Sequence, residues 1–194
     1  MTQLRFEAVA CLRGGRLLFE DVSFALERGE AAIVTGPNGT GKSSLIRVAA
    51  GLLDAAAGHV QRKGSVALAD ENAALDSDLS LGRALRFWAR LDGSARLDAA
   101  LEAMGIAHLV PVPVRMLSTG QRKRAALVRV IASNAPLWLL DEPTNGLDAE
   151  SVSRLERACA EHRTQGGVVL AATHLAFGLE GAQAISLARY GAQA

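Results

Sequence analysis

The 194-residue chain is long enough to bury a sizeable hydrophobic core, and 49% of its residues are apolar. Lys and Arg number 21 against 20 Asp and Glu, and this formal net charge of +1 gives no global attraction to nucleic acid or anionic lipid. Two distant cysteines, Cys11 and Cys159, have no metal-site spacing, which argues against a zinc site or disulfide scaffold and favours a reducing compartment.

No segment is expected to enter a membrane by itself. Residues 1–7 carry Arg5 and Glu7 without a long apolar run behind them, so we expect no signal peptide. No stretch approaches the roughly 18 uncharged apolar residues that a spanning helix needs. If a membrane matters to this protein, another chain must supply the spanning segments.

The N-terminal quarter has the pattern of strands. Leu4–Val9 and Leu17–Leu26 show apolar alternation around a turn at Gly14-Gly15, which predicts an N-terminal antiparallel layer. Ala31–Thr35 is short, continuously apolar and followed by glycine, as is typical of a buried parallel strand. A helix is predicted over Lys42–Ala50, ended by the glycine that follows.

Helical spacing replaces strand signals in the middle of the chain. Between Ser80 and about Ser133 strand signals vanish and large apolar residues recur three and four positions apart, which predicts a helical insertion; these residues are Leu81, Leu85, Trp88 and Leu91, then Leu97, Leu101 and Met104. Strand patterns return at Leu137–Leu140 and Val168–Ala172, with a helix expected over Ala149–His162 between them. Strands that alternate with helices predict a parallel α/β sheet.

A phosphate-binding pattern, GxxxxGK[ST], lies between the predicted strand and helix. Its glycines let backbone N–H groups turn toward phosphate oxygens, while Lys42 reaches the β and γ phosphates and Ser43 ligates Mg²⁺. An ordinary glycine-rich turn is the alternative, and the flanking strand and helix argue against it. The residues expected to bind nucleotide here are Gly36, Pro37, Asn38, Gly39, Thr40, Gly41, Lys42, Ser43 and Ser44.

Two carboxylates, Asp141 and Glu142, follow the predicted strand at Leu137–Leu140. Ligands of α/β sheets bind at the carboxyl ends of strands, so Asp141 is expected in the Mg²⁺ shell and Glu142 beside the attacking water. A strand ending in a solvated acidic turn would give the same pattern. The phosphate loop makes the catalytic interpretation the better one.

A third motif, Leu117-Ser118-Thr119-Gly120-Gln121, resembles the LSGGQ signature of ABC ATPases, although alone it would be an ordinary helix N-cap. Asp141-Glu142-Pro143, the sequence Asn-Gly-Leu-Asp at 145–148 and Thr173-His174 follow in order and look like the Walker B, D-loop and switch-histidine elements. The resemblance implies an α/β, P-loop NTPase fold with a mixed or parallel core sheet, an N-terminal antiparallel layer and a helical subdomain. It also implies one domain over 1–194, with a nucleotide-binding core at 1–74 and 134–194 and a helical signature subdomain at 75–133.

The same resemblance implies a head-to-tail homodimer with two ATP molecules at the interface. Ser118, Gly120 and Gln121 of one subunit would face the γ-phosphate held by Lys42 of the other. His174 would contact that phosphate and orient Glu142 with its water. Lys42, Glu142 and His174 are therefore the expected catalytic residues, with ATP and Mg²⁺ as ligands.

Three positions depart from the family pattern. Arg13 stands where an aromatic side chain usually stacks on adenine, and its guanidinium can stack in its place. The Q-loop glutamine is absent, so Asn72, assigned here to the metal site, or its neighbour Glu71 is expected to contact Mg²⁺ or water. The sequence leaves that choice open. Thr119 replaces the first glycine of the signature.

These departures and the short chain resemble the ATP-binding subunits of the haem exporters used in cytochrome c maturation. The resemblance implies a peripheral protein at the cytoplasmic face of the inner membrane, docked on separate integral membrane subunits, without nucleic acid. Two alternatives remain: the ATPase of another small export system, which would share every catalytic residue, and a soluble non-transport ABC ATPase. The second class normally carries coiled-coil insertions or tandem cassettes, which this chain lacks.

The remaining residues receive simpler interpretations. Trp88 and Trp138 are predicted to be core residues, and the Arg122-Lys123-Arg124 run is predicted to be a solvated face. His162, like the two other histidines without a motif, is assigned no role. The helices between Ser80 and Met104 are expected to dock a membrane partner through side chains around Trp88, with simple packing of the lobe as the alternative.

Overall fold

The computed structural model describes residues 2–72 and 74–191, with the side chain of residue 2 left out. The strands are β1 (Thr2–Arg13), β2 (Arg16–Glu27), β3 (Ala31–Thr35), β4 (Ala57–Arg62), β5 (Val66–Ala69), β6 (Leu137–Asp141), β7 (Val168–Ala172) and β8 (Gln183–Ser186). The helices are α1 (Lys42–Ala50), α2 (Leu81–Leu91), α3 (Leu97–Ala103), α4 (Thr119–Ala132) and α5 (Ala149–Thr164). Short 3₁₀ turns occupy Ala107–Leu109, Val114–Met116 and Leu187–Arg189.

The N-terminal sheet is antiparallel, as predicted, in the order β2-β1-β4. Gly14 and Gly15 join β1 to β2 with φ angles of 55° and 76°, a left-handed turn that suits the twist of a hairpin. Phe6 and Phe24 stack across the hairpin with ring centroids 4.6 Å apart. Their ring faces help to fix the register of the two long strands.

The second sheet is parallel throughout, in the order β5-β6-β7-β3-β8. Side chains of β6 alternate between two hydrophobic clusters because successive residues of a strand point to opposite faces. Leu137 and Leu139 join the cluster shared with α1 and the antiparallel sheet. Trp138 and Leu140 join the cluster shared with α2, α3, α4 and α5. The parallel sheet is therefore covered on both faces, as its continuously apolar strands predict.

Helices α2, α3 and α4 follow the sheet strand β5 and pack on one another. Leu81, Leu85 and Leu101 are each buried to 3% exposure or less, so the predicted helical insertion has a core of its own. Gly105 follows α3 with φ 65°, the left-handed conformation that ends a helix. Within the described residues, no helix has the length and hydropathy needed to cross a bilayer.

Three strands were not expected from the sequence. β4 is polar and mostly exposed, β5 has only four residues, and β8 pairs with β3 at the edge of the parallel sheet. Edge and short strands bury few side chains, so they lack the apolar pattern that reveals an interior strand. β3, α1 and β7 have the bounds that the sequence predicted, whereas α5 runs two residues beyond His162, to Thr164.

The two tryptophans differ in burial. Trp138 is 2% exposed, as a core residue should be. Trp88 is only half-buried, so its assignment to the core is wrong. Its indole Nε1 donates to the carbonyl oxygen of Ala74 at 2.9 Å, and the guanidinium carbon of Arg129 lies 3.9 Å from the ring centroid. The ring lines a surface cleft because polar partners hold it at the junction of α2 and α4.

Candidate active site

The phosphate loop connects β3 to α1 and curls around the Lys42 side chain. The Lys42 ammonium donates to the carbonyl oxygens of Gly36 at 2.9 Å and Pro37 at 3.3 Å. Gly41, at the N-terminus of α1, has φ 100°, and a Cβ there would lie 2.9 Å from the Phe19 ring. Only glycine fits this position without strain, which explains its place in the motif. The loop therefore presents backbone N–H groups and an ammonium at the start of a helix.

Ser43, in the first turn of α1, contacts Asp141, the last residue of β6. The Ser43 hydroxyl donates to Asp141 Oδ1 at 3.0 Å, and Asp141 is 3% exposed at the carboxyl end of β6. Burial raises the pKa of the Asp141 carboxyl, and the Ser43 hydrogen bond opposes that rise. A hydroxyl beside a carboxylate is an oxygen pair that suits Mg²⁺ when substrate phosphates supply further ligands.

The Glu142 side chain lies between the phosphate loop and the residues that follow β7. Its Oε2 accepts a hydrogen bond from His174 Nδ1 at 2.9 Å, and its Oε1 lies 3.8 Å from Lys42 Nζ. The Glu142 backbone has φ 45°, a conformation that costs on the order of 1 kcal/mol for a residue with a side chain. Its N–H donates to the carbonyl oxygen of Ala172 at 2.8 Å, which helps to hold this turn. The strained turn aims the carboxylate at the loop.

These groups surround an open cavity of about 550 Å³ at the carboxyl ends of the parallel strands. Of the residues predicted from the sequence, the cavity wall includes Arg13, Asn38, Gly39, Gly41, Lys42, Ser43, Ser44, Glu142 and His174. Gly36, Pro37 and Thr40 lie in the loop behind Lys42, where Thr40 Oγ1 donates to the Pro37 carbonyl at 2.8 Å. The described residues thus bring most of the predicted site together in one place.

The structure separates the two residues that could replace the Q-loop glutamine. Glu71 lines the phosphate-loop cavity. Asn72 lines a different cleft, together with Trp88 and Arg129, and its backbone N–H donates to Asp70 Oδ1 at 2.9 Å. The structure therefore does not bring Asn72 to the candidate metal site, and the position of Glu71 makes it the better candidate.

The signature residues lie at the N-terminus of α4 and do not line the cavity as the described residues form it. Ser118 and Gln121 form a capping box, with Gln121 N–H donating to Ser118 Oγ at 3.2 Å and Ser118 N–H to Gln121 Oε1 at 2.8 Å. A Cβ on Gly120 would lie 3.0 Å from the carbonyl oxygen of Gly146. The small residue lets the signature pack against the segment after Glu142.

Lys123 is a site residue that the sequence analysis missed. It is half-buried, not solvated, and its ammonium donates to the backbone carbonyl of Asp141 at 3.3 Å. Burial lowers the pKa of Lys123, and the charges of Asp141 and then Glu71 oppose that effect. A signal was present, because Lys123 precedes the buried Ala126 and Val130 by three and seven residues, one face of a helix.

Comparison with known proteins agrees with this geometry. A family profile described as ABC transporter matches residues 19–145, a span that includes the phosphate loop, the signature and the Asp141-Glu142 pair. The chain belongs to the ABC transporter family, as an ATP-binding protein with ATPase activity.

Particular relatives narrow the comparison. The chain is 60% identical, over 91% of its length and 92% of the relative, to the cytochrome c biogenesis ATP-binding export protein CcmA of Sphingopyxis alaskensis. It is 49% identical to the CcmA of Zymomonas mobilis, over 94% of this chain and 83% of that protein. Among solved structures, an ABC transporter ATP-binding protein from Pyrococcus furiosus superposes with a TM-score of 0.85 at 21% identity. The superposition covers 97% of this chain and 99% of that structure. At this sequence identity the similarity shows that the two proteins share a fold and nothing more.

Proposed function

We propose that this chain is the ATP-hydrolysing subunit of the exporter that serves cytochrome c biogenesis, with haem as the exported group. The hydrolytic part rests on one observation: Glu142 lies 2.9 Å from His174 and 3.8 Å from Lys42 beside the phosphate loop. The export part rests on the similarity to CcmA proteins over nearly the whole chain. ATPases of other export systems would share these catalytic residues, so the sequence relationship decides between them.

Each residue of the proposed site has a distinct part in hydrolysis. Backbone N–H groups of the loop and Lys42 bind the β and γ phosphates. Ser43 and Asp141 would hold Mg²⁺, whose charge offsets that of the phosphate oxygens. Glu142 accepts a proton from the water that attacks the γ-phosphorus, while the bond to the ADP oxygen breaks. His174, which donates to Glu142, keeps that carboxylate pointed at the water.

Two further assignments complete the nucleotide site. Glu71, which lines the cavity, is proposed to take the place of the Q-loop glutamine and to contact the attacking water or the metal shell. Arg13 lines the same cavity from the end of β1 and is proposed to stack its guanidinium on the adenine ring. A planar cation can stack on any purine, so weak discrimination between ATP and GTP is expected.

We further propose a head-to-tail homodimer in which Ser118, Gly120 and Gln121 contact the nucleotide of the partner. The support is that this helix N-terminus lies outside the chain's own phosphate-loop cavity while its dipole favours an anion. Gly120 packs against the carbonyl oxygen of Gly146, so the signature and the D-loop present one continuous surface. A second subunit placed against that surface would complete two composite sites.

The membrane partner is proposed to dock in the cleft between α2, α4 and β5, at the cytoplasmic face of the inner membrane. Trp88, Leu91 and Arg129 line this cleft together with Asp70 and Asn72. Its wall therefore begins one residue from Glu71, whose surroundings change when the γ-phosphate leaves. Residues 75–133 would then move as a unit and carry the change to the partner.

Two substitutions test hydrolysis. Lys42→Ala should weaken ATP binding, because the loop loses its ammonium. Glu142→Gln should bind ATP with little change yet hydrolyse it at least 100-fold more slowly, because an amide cannot accept the proton. Glu150→Gln, an exposed carboxylate on α5, is the matched control and should retain the wild-type rate. Equal rates for Glu142→Gln and the control would remove Glu142 from the mechanism.

The export role needs a separate experiment in cells. Deletion of the gene should abolish covalent attachment of haem to periplasmic c-type cytochromes, and the wild-type chain should restore it. The Glu142→Gln chain should not. Normal cytochrome c in the deletion strain would contradict the export assignment while leaving the ATPase assignment intact.

A further inference from the structure

Helix α2 carries a basic and apolar stripe on the side away from its core. Its sequence contains three arginines and no acidic residue. Leu81, Ala84, Leu85 and Ala89 point inward and are 0% to 9% exposed. The opposite stripe consists of Arg83, Arg86, Phe87, Arg90 and Leu91, spaced as one face of a helix, with Leu79 beside it. We call these six residues the α2 outer face.

Two apolar members of the α2 outer face, Phe87 and Leu91, are open to solvent, whereas Leu79 is partly buried. Phe87 is 59% exposed and Leu91 is 68% exposed, so two large hydrophobic side chains stand among the arginines. Single exposed hydrophobic side chains are common on protein surfaces. Here two of them lie one helical turn apart with arginines on either side, which is typical of a binding surface. Phe87 contacts Trp88 edge-to-face, with ring centroids 5.4 Å apart, which holds its ring in place.

The arginines of the α2 outer face are available to bind an anionic partner. Among the described residues, none of Arg83, Arg86 and Arg90 lies within ion-pair distance of a carboxylate. Of the acidic residues that flank α2 along the chain, Asp92 lines the Trp88 cleft and Asp78 is paired with Arg115 at 3.4 Å. The net charge of the whole chain is only +1, so the positive charge of the α2 outer face is a local feature that the overall composition does not reveal.

We infer that the α2 outer face binds the anionic phospholipid surface of the membrane directly. Arginines on a helix that also exposes Phe and Leu fit a membrane interface, where guanidinium groups meet lipid phosphates and the apolar side chains enter the headgroup region. An anionic bilayer offers phosphates for the arginines and an apolar layer for Phe87 and Leu91 at one surface, whereas a protein segment would need acidic and apolar side chains at matching positions. The observations therefore favour lipid.

This inference rests on the proposed position of the chain at a membrane and adds a second contact to it. Leu91 lines both the proposed docking cleft and the α2 outer face, so the two surfaces are continuous around the end of α2. The partner would occupy the cleft while lipid headgroups meet the adjoining stripe. Lipid contact would orient the subunit before or during docking.

Vesicle co-sedimentation tests the inference with the purified full chain and no partner. Wild type should bind vesicles that mix phosphatidylcholine with phosphatidylglycerol, release at high salt and fail to bind vesicles of phosphatidylcholine alone. Arg83→Gln/Arg86→Gln/Arg90→Gln should weaken binding roughly 100-fold, since each basic residue near an anionic surface contributes about fivefold. Phe87→Ser should weaken it further by removing the inserted ring.

The control removes the same charge elsewhere. Arg28→Gln/Arg157→Gln/Arg189→Gln changes three exposed arginines on other surfaces and should bind anionic vesicles nearly as well as wild type. Both triple variants should hydrolyse ATP at the wild-type rate, which shows that each is folded. Equal vesicle binding by the two triple variants would overturn the inference, as would binding to neutral vesicles as strong as to anionic ones.

The two proposals fail in different ways. The wild-type chain could fail to bind anionic vesicles and yet need the three α2 arginines to co-purify with its membrane partner. The α2 outer face would then be a protein interface, and the lipid inference would be wrong. Wild type that binds anionic vesicles but never co-purifies with a membrane partner would leave the inference standing and contradict the proposed docking.

Discussion

His162 should make the stability of this protein fall as the pH falls below neutral. It lies near the end of α5, 8% exposed, and its ring stacks on Trp138 with centroids 3.8 Å apart and planes 7° from parallel. Its Nε2 lies 3.2 Å from the Pro136 carbonyl oxygen, which can only accept, so the neutral ring carries its proton on Nε2. Burial lowers the pKa of His162 from 6.5 to about 4.

The size of the effect follows from proton linkage. A lowered pKa in the folded state means that the unfolded chain takes up the proton first, so the stabilisation is complete above about pH 6.5 and is lost toward pH 4. With pKa values of 6.5 unfolded and about 4 folded, acidification from about pH 7.5 to about pH 5 should remove about 2 kcal/mol from the free energy of unfolding. The full loss below pH 4 approaches about 3 kcal/mol.

Urea unfolding of wild type and His162→Gln at these two pH values measures that loss. Glutamine keeps an N–H donor near Pro136 but cannot titrate, and its missing ring should cost about 1 kcal/mol at neutral pH. Acidification should then destabilise wild type by about 2 kcal/mol more than the variant. Burial raises the pKa of Asp141 in both proteins alike, so the difference between them isolates His162. Parallel losses in the two proteins would refute this account.

Three further experiments probe the candidate site. Lys123→Met should lower the rate of ATP hydrolysis roughly tenfold, because the Asp141 carbonyl loses its donor and the carboxylates of Asp141 and Glu71 lose one nearby cation, and Glu71→Gln in the same chain should restore part of it by removing one of those negative charges; equal rates for Lys123→Met and Lys123→Arg would contradict this. A heterodimer of Lys42→Ala and Ser118→Ala subunits should hydrolyse ATP faster than either mutant homodimer, because one composite site stays intact; no gain over both homodimers would count against action in trans. Gly41→Ala should abolish ATP binding and lower the free energy of unfolding by about 1–3 kcal/mol, since the residue has φ 100° against Phe19, and unchanged nucleotide affinity would show that the loop tolerates a Cβ.

Local patterns were sufficient where a few neighbouring residues determine the structure. The bounds of β3 and α1 follow from a continuous apolar run, a glycine-rich loop and a terminal glycine, Gly51, which has φ 76°. An N-cap at Ser118 was the alternative interpretation of the signature motif, and it too lies within four residues, where Gln121 completes a capping box. Each of these features is determined by residues that are neighbours along the chain, so the sequence alone is enough to predict it.

Features that depend on distant neighbours were missed. Lys123 belongs to a charged run that normally faces water, and only the docking of α4 beside the end of β6 half-buries it. Glu71 and Asn72 are adjacent along the chain, so composition could not decide which one enters the cavity. β4 and β8 are edge strands whose pairing partners, β1 and β3, supply most of the order that their own sequences lack. In each case tertiary contacts outweigh the local signal.

The pairing of β6 with β7 sets the distance between Glu142 and His174, the two side chains proposed to act together in hydrolysis. Asp141 lies opposite Ala172 in this parallel pair, so Glu142 and His174 each leave the sheet just beyond the last matched rung. A slip of one residue between the two strands would reverse the faces to which their side chains point and separate the carboxylate from the imidazole. Both strands are fully buried in the middle of the sheet, so they can form this match only when the whole core is assembled. Hydrolysis is therefore a property of the completed fold, and a newly made or partly unfolded chain would consume no ATP before its core has closed.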